Sequence, residues 1–383
     1  MTITRSGSGR RENGERLAVL HLLLTMGETS AGYNEHCLPM VGARDITVCT
    51  YFRPQVRPPA GITLFAGDST PAGFARAVKA ALRARDYDIV HAHSVHMSLF
   101  FLLAATTLRP GLLSRSTCTL HSSFPNYKLR NRLLLLPSFA FHRRVVCCSS
   151  ASYESFPPAL RRLAGSRLRV VANGLDLARV DDVISRTASD PGDRPFTVAS
   201  VGRLMEIKDP MTALDAFLEE DDGTGRLVFV GEGPLRGRLQ EHSRARDAVG
   251  RVELAGLVPR EDVYGRLMDA DVFISTSRVE GLPVAVVEAM ACRLPVILSD
   301  IPPHREITAG ADFLPLIPVG DTAGFARELR RLRLMTASER AGIGQRCRAL
   351  VEQRFSLGAM RAGYDQVYRE VLGERAPATA VAR

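Results

Sequence analysis

Twelve short apolar runs, most of them rich in β-branched residues, recur along this chain at intervals filled by helical patterns, the alternation from which parallel α/β layers are built. In the first half they read RLAVLHLL, DITVCTYF, DYDIVHAHS, RSTCTLHSS, RVVCCSS and LRVVANG; in the second, FTVASVG, GRLVFVGEG, RVELAGLV, ADVFISTS, LPVILSD and DFLPLIP. A length of 383 residues exceeds what one hydrophobic core usually organises, so two Rossmann-like domains with parallel sheets are expected. The polar passage 176–195, closing on Asp-Pro-Gly-Asp, marks the boundary between them. The expected organisation is a disordered 1–16, a first domain over 17–178, a second over 179–355, an amphipathic helix over 356–375 that packs back on the first domain, and a disordered tail over 376–383.

Apolar residues make up 45% of the chain and charged residues 24%, ordinary proportions for a folded soluble protein. The longest apolar runs, such as SLFFLLAATTL (98–108), fall short of the roughly 20 residues that span a bilayer. The polar N-terminus reads against a secretory signal, and a cytoplasmic location is expected. The seven cysteines include the adjacent Cys147 and Cys148 but no zinc-spaced cluster, which predicts reduced, packed thiols. The net charge of +9 is uneven: residues 1–175 hold 22 Lys/Arg against 9 Asp/Glu, and the remainder hold 28 against 32. A basic first half suits an anionic partner, either a phosphorylated substrate or a membrane surface. The absence of Trp, the 6% aromatic content and the lack of any nucleic-acid-binding motif argue against nucleic acid.

Chemistry concentrates in the second half. In VGRLMEIKDP (201–210) a strand runs into Gly202 and Arg203, and Lys208 stands just before a helix opening at Asp209 and Pro210. Cations beside a helix N-terminus at the end of a parallel strand suit a diphosphate; the alternative is a pair of solvated loop charges. FVGEGPLRGRL (229–239) is a strand, a glycine turn and a helix, in which Gly231 and Gly233 permit close backbone approach to a ligand, or simply make a plain turn. Arg236 occupies the place of the third glycine in a dinucleotide fingerprint. ADVFISTSRVEGLPVAVVEAMA then sets Glu280 on a loop ahead of a helix that Pro283 starts, with Glu288 inside that helix. Two fixed acceptors so spaced suit ligand hydroxyls; separately, Glu280 reads equally as a cap and Glu288 as a surface charge.

Together these stretches resemble the donor-binding domain of the GT-B glycosyltransferases, specifically retaining family 4, whose defining pattern is Glu, seven residues, Glu. The resemblance rests on Glu280 and Glu288, on VGRL with Lys208, on GEGP, on Gly320 and Asp321, and on NGLD (173–176), and it extends from about residue 18 to 372. It implies that Arg203 and Lys208 hold the diphosphate of a nucleotide-sugar beside Gly202, Gly231 and Gly233. Glu288 would bind ribose hydroxyls, and Glu280 would contact the transferred sugar with Gly281, Leu282 and Pro283 near it. Leu257 and Val258, in LAGLV, would sit beside the base. In the first domain DIVHAHSVH resembles the family's His-x-His strand end, which makes His93 the active-site histidine and His91 its structural companion, and TLHSSF offers His121 to the acceptor. The family's Gly-Gly-x-Glu element survives in ETSAGYNEH as Gly32 and Glu35, with Ala31 in place of one glycine. Arg293 stands where the family usually has a helix-ending glycine, which predicts a turn other than the left-handed one, and Pro302 and Pro303 replace small residues on the donor-sugar wall.

The implied reaction is retaining transfer of a hexosyl unit from a nucleoside diphosphate sugar, uridine favoured and guanosine next, to an acceptor hydroxyl. On this reading it needs no cofactor and no metal, since Arg203, Lys208 and helix amides meet the growing charge and no Asp-x-Asp motif of the kind metal-dependent transferases use is read. Glu280 would position the sugar rather than act as nucleophile. LRNRLLLLPSFAFHRRVV (129–146) places an apolar stretch between arginine pairs, either a surface for anionic lipid or a lipid-linked acceptor, or a core helix of the first sheet. Cell-surface polysaccharide or glycolipid assembly, with peripheral contact at the inner face of the membrane, is the expected setting. The rival readings are an NAD-dependent oxidoreductase, disfavoured by Arg236, and a catalytically inert membrane-surface scaffold.

Overall fold

The computed structural model describes residues 16–27, 30–187, 194–220 and 222–374. Apart from Arg16, the segments expected to be disordered, 1–16 and 376–383, lie outside the described residues, as does the Asp-Pro-Gly-Asp of the boundary passage. Seven strands form the first sheet: β1 (Ala18–Leu23), β2 (Asp45–Thr50), β3 (Ile62–Ala66), β4 (Ile89–Ala92), β5 (Ser116–Leu120), β6 (Arg144–Cys147) and β7 (Leu168–Val170). Six form the second: β8 (Thr197–Val201), β9 (Arg226–Val230), β10 (Val252–Gly256), β11 (Val272–Ser275), β12 (Val296–Ser299) and β13 (Leu316–Ile317). The orders are β3-β2-β1-β4-β5-β6-β7 and β10-β9-β8-β11-β12-β13. All six residues of β1 and all four of β12 are buried, as expected of parallel strands covered on both faces.

In each sheet the strand order turns back beside the first strand, at β1/β4 and at β8/β11. Such a switch point leaves a crevice at the carboxyl ends of its strands, where α/β folds bind ligands. Eleven of the twelve runs read from the sequence are the strands found at their places in the first and second sheets, and the twelfth, DFLPLIP, shrinks to the two residues of β13. β3 had no counterpart among them. It is an edge strand in which only Ile62 is buried, although its residues ITLFA are mostly apolar.

By contacts the chain divides into two compact units. Among the described residues, one holds 16–118 with Phe141–Arg143 and 370–374; the other holds Thr119–Ala140 and Arg144–Arg369. Within the second, the passage read as a polar boundary is in large part the helix Leu177–Thr187. Val180 and Val183 bury one turn apart and join the core formed by Tyr264, Leu267, Val286 and Val287. NGLD seats the final helix, Leu357–Leu372: a Cβ on Gly174 would meet Ser356 O at 2.6 Å, and Leu175 N donates to Phe355 O at 2.7 Å. Farther along this helix, the Tyr364 hydroxyl hydrogen-bonds the Thr119 hydroxyl of β5 at 3.0 Å.

The helix Val284–Ala291 ends in a way the sequence reading did not anticipate. Arg293 adopts φ 61°, the left-handed conformation expected only of glycine there. Arg293 N donates to Met290 O and Leu294 N to Ala289 O, both at 3.1 Å. These two bonds satisfy carbonyls that the helix end would otherwise leave open, which offsets the roughly 1 kcal/mol that a side chain costs in this conformation. All seven cysteines are free and buried.

Candidate active site

At the β8/β11 switch point a cavity of about 310 Å³ is lined by Gly202, Arg203, Lys208, Glu280, Leu282 and Pro283 among others. Sequence placed these residues on two separate stretches; the fold brings them together because β8 and β11 are neighbours whose carboxyl ends both open here. Two loops build the wall. Residues 202–204 leave β8, and Gly202 N donates to Val230 O at 2.9 Å while Leu204 N donates to Glu232 O at 3.0 Å. Gly231 and Gly233 make this possible: a Cβ on Gly231 would lie 2.1 Å from Gly202 O, and one on Gly233 would lie 2.3 Å from Leu204 O. Their close approach is therefore to the Arg203 loop, and neither lines the cavity.

The second loop, 276–281, is stitched to the first. Thr276 Oγ1 donates to Asp209 O at 2.7 Å, Arg278 N to Ile207 O at 2.9 Å, and the Arg278 guanidinium pairs with the Asp209 carboxylate at 2.7 Å. Asp209 itself sits at φ 48°, which turns the chain sharply between Lys208 and the helix Pro210–Glu220. Within the cavity Lys208 Nζ forms an ion pair with Glu280 Oε1, and the Ser277 hydroxyl donates to the same oxygen at 2.8 Å. Glu280 is buried, so this pairing answers the desolvation of its charge. Arg203 is exposed at the cavity rim.

The backbone of this loop is held from behind. Ser123 Oγ donates to Glu280 O at 2.6 Å and Ser149 Oγ to Gly281 O at 3.0 Å. A Cβ on Gly281 would come within 2.8 Å of His121 O, so only glycine fits between the loop and the end of β5. Burial pushes the His121 imidazole down to about 4, keeping it neutral. Glu306, which follows Pro302 and Pro303 in the helix Pro302–Ile307, accepts from Ser150 N and Ala151 N, each at 2.8 Å, and so caps the helix Ser150–Ser155.

Glu288 is buried in its helix but does not line the cavity. Its Oε1 accepts from Arg260 Nε at 3.0 Å and from the Tyr264 hydroxyl at 3.2 Å. Leu257 is 80% exposed and Val258 partly so, on the loop that leads into the helix Arg260–Met268. Asp321, of the Gly-Asp pair, caps the helix Thr322–Leu334 by accepting from Gly324 N at 2.9 Å.

At the other switch point, β1/β4, four imidazoles gather. His21 on β1 is in register with His91 on β4, and His93 follows just past the strand end. His21 Nδ1 and His93 Nε2 share a hydrogen bond at 3.0 Å, His91 stacks on His93 with ring centroids 3.9 Å apart, and His36 meets His93 edge-on at 4.8 Å. A Cβ on Gly32 would lie 3.5 Å from His93 Nδ1, so this glycine backs onto the imidazole; Glu35 is buried in the turn that follows it. Burial, helped by the charge of Arg44, drives His21 down to about 3. The ligand nitrogens of His21, His91 and His93 lie within 4.8 Å of one another, a spacing one metal ion could bridge only by replacing the His21–His93 bond. The sequence reading gives no role to His21, Arg260, Ser123, Ser149 or Glu306; Ser123 lies within TLHSSF, yet each is recognised only by what the fold sets against it.

A sequence model described as Glycosyl transferases group 1 matches residues 184–346, and one described as Glycosyltransferase Family 4 matches residues 41–179. EpsF of Bacillus subtilis (strain 168), described as a glycosyltransferase, is 30% identical over 250 residues, 61% of this chain and 63% of that protein. The GDP-mannose:cellobiosyl-diphosphopolyprenol alpha-mannosyltransferase of Xanthomonas oryzae pv. oryzae (strain PXO99A) is 29% identical over 237 residues, 59% of each chain. The match thus spans less than two thirds of the length of either relative. Among solved structures, Anabaena Alr3699/HepE in complex with UDP superposes with a TM-score of 0.72 at 19% identity, over 92% of this chain and 100% of that one. Sucrose-phosphate synthase from Thermosynechococcus elongatus gives 0.77 at 18% identity, over 93% and 99%. The two parallel sheets are those of the GT-B fold, and the chain belongs to the family 4 glycosyltransferases, the glycosyl transferases of group 1.

Proposed function

We propose that the chain transfers a hexosyl unit from a nucleoside diphosphate sugar to an acceptor hydroxyl, with retention at the anomeric carbon and without a metal. The observation that carries this reading is the shared cavity of Arg203, Lys208 and Glu280 at the β8/β11 switch point, where the helix beginning at Val284 adds its positive end. Departure of the diphosphate places negative charge where these cations already stand, and preorganised charge of that kind lowers the barrier without a reorganisation cost. Before donor binds, Glu280 neutralises Lys208; a diphosphate arriving at Lys208 frees the carboxylate to accept from sugar hydroxyls. The acceptor proton passes to the leaving phosphate, and Glu280 positions the sugar. Glu288, with Arg260 beside it, takes the ribose, and Leu257 and Val258 take the base. Gly32 serves donor binding, Glu35 and His121 serve the acceptor, and His93 serves the reacting centre.

A uridine donor is favoured by the UDP held in HepE, and guanosine is next by the GDP-mannose of the Xanthomonas relative. That relative's diphosphopolyprenol acceptor supports a lipid-linked glycan in cell-surface polysaccharide assembly, on the cytoplasmic side and in peripheral contact with the membrane. Calorimetric binding of UDP, GDP, ADP and NAD to the wild type, Arg203→Ala and Glu288→Ala tests the reading. One nucleoside diphosphate should bind, and both substitutions should weaken it about tenfold or more. Binding of NAD alone would make the chain an oxidoreductase, and binding of none would make it a scaffold.

A further inference from the structure

We propose that the segment from Lys128 to Leu136 is a docking surface for an anionic bilayer. It gives the membrane contact of the proposed function a location, and it rests on that reading for what the contact serves. From Ile89 to Tyr153 the sequence holds seven Lys/Arg and no Asp or Glu. Inside this stretch the short helices Leu129–Arg132 and Leu135–Phe141 follow one another across a two-residue turn. Leu129, Leu133 and Leu136 are 79%, 70% and 49% exposed, at intervals of four and three residues that set side chains along one side of a helical path.

These leucines are held outward by an anchored backbone. Leu135 is fully buried, and Arg132 donates through Nε to Tyr127 O at 3.1 Å while its guanidinium lies over the Phe124 ring at 4.6 Å. Lys128 and Arg130 are exposed beside the leucines. An apolar stripe flanked by cations matches the boundary of an anionic membrane, where the leucines enter the acyl region and the cations meet phosphate. A second copy of the same surface would cover the leucines but would set these cations against their own kind. Among the described residues no helix is long and apolar enough to cross a membrane, so the contact is one of lying on the surface.

The full chain is to be sedimented with vesicles of phosphatidylcholine alone and of phosphatidylcholine mixed with phosphatidylglycerol, with UDP and GDP binding measured on the same preparations. The mixed vesicles should bind it and the neutral ones should not, with binding weakened by salt. The triple variant Leu129→Ser, Leu133→Ser, Leu136→Ser should lower affinity for mixed vesicles about tenfold or more. Lys128→Gln with Arg130→Gln should lower it about tenfold and flatten the salt dependence. Equal binding to both vesicle types, or a triple variant that binds like the wild type, overturns the proposal. So does a wild-type dimer that the triple variant converts to monomer, since the stripe then belongs to a second copy. Loss of nucleotide binding in every preparation would count against the transferase reading and leave the vesicle result standing.

Discussion

Arg260 and Glu288 hold one another across two helices: the guanidinium reaches the same carboxylate oxygen through Nε at 3.0 Å and a terminal nitrogen at 2.9 Å, with side chains only 14% and 9% exposed. An ion pair this far from water adds little net stability compared with an apolar pair, but removing one partner strands the other. Arg260→Ala should therefore cost about 3 kcal/mol, and Glu288→Gln added to it should restore part of that loss. Chemical denaturation of the single and double variants measures it. An Arg260→Ala protein as stable as the wild type would mean that the carboxylate finds water or Tyr264 sufficient.

Gly231 and Gly233 are set against the Arg203 loop, where a Cβ would enter the carbonyls of Gly202 and Leu204. Either alanine substitution should displace that loop, costing about 1–3 kcal/mol and weakening diphosphate binding about tenfold or more. Gly237 is the internal contrast. It lies exposed in the helix Arg236–Ala245 with nothing within 4 Å of its Cβ position, so Gly237→Ala should stabilise by about 0.5–1 kcal/mol and leave binding unchanged. A tolerated Gly231→Ala with full nucleotide affinity would show that the loop does not depend on this approach.

Strands that bury both faces write continuous apolar runs, and β1 and β12 are legible in that way; β3, ITLFA, is equally apolar in sequence, and only the sheet order shows it to be an edge strand with one buried residue. The same contrast runs through the site. Arg203, Lys208 and Glu280 stand at strand ends in short motifs, so their convergence follows once β8 and β11 are adjacent. Arg260 is distant from Glu288 in sequence, and nothing in VPREDV announces the carboxylate it meets. His21 within AVLHLL reads as a strand residue, and only the β1/β4 register sets it beside His91 and within reach of His93. The helix Leu177–Thr187 was hidden by its polar face, since two valines carry most of its burial.

Three histidines, His21 and His304 fully buried and His121 partly so, make the fold sensitive to acid. His21 is driven down to about 3, and His121 and His304 to about 4, in each case chiefly by burial. With folded values below the ordinary 6.5, the native protein keeps these rings neutral while the unfolded chain binds protons, so stability is full above about pH 6.5 and falls as pH drops toward 4. Each ring should cost about 2 kcal/mol at pH 5. Denaturation midpoints measured from pH 7.5 to pH 5 should fall steadily. Replacing His304 by Asn, whose amide can still donate to Ser299 O, should remove about a third of that slope. A midpoint independent of pH in this window would show that the rings reach water when the protein acidifies.

Arg293 and Gly344 interlock, and the fit explains why a left-handed arginine persists where glycine would be easier. The carbonyl of Arg293 lies 1.8 Å from where a Cβ on Gly344 would stand, so the helix Ala337–Arg354 packs directly on the turn that ends Val284–Ala291. The position of that carbonyl is set by φ 61° at Arg293 together with the bonds from Arg293 N to Met290 O and from Leu294 N to Ala289 O. Any residue that resists φ above zero must move the carbonyl toward or away from the neighbouring helix. Arg293→Val, β-branched and poorly suited to this region, should therefore destabilise by about 1–2 kcal/mol. Arg293→Gly should be neutral or stabilising by up to about 1 kcal/mol, since relief of the left-handed cost offsets the added entropy of the unfolded chain. Gly344→Ala should cost more than either, because a backbone carbonyl cannot rotate aside as a side chain can. Since Glu288 and Glu280 sit on and just before the helix that this turn terminates, Gly344→Ala should also weaken nucleoside diphosphate binding. If Gly344→Ala costs stability but leaves binding intact, the helix end is mechanically independent of the site at its other end.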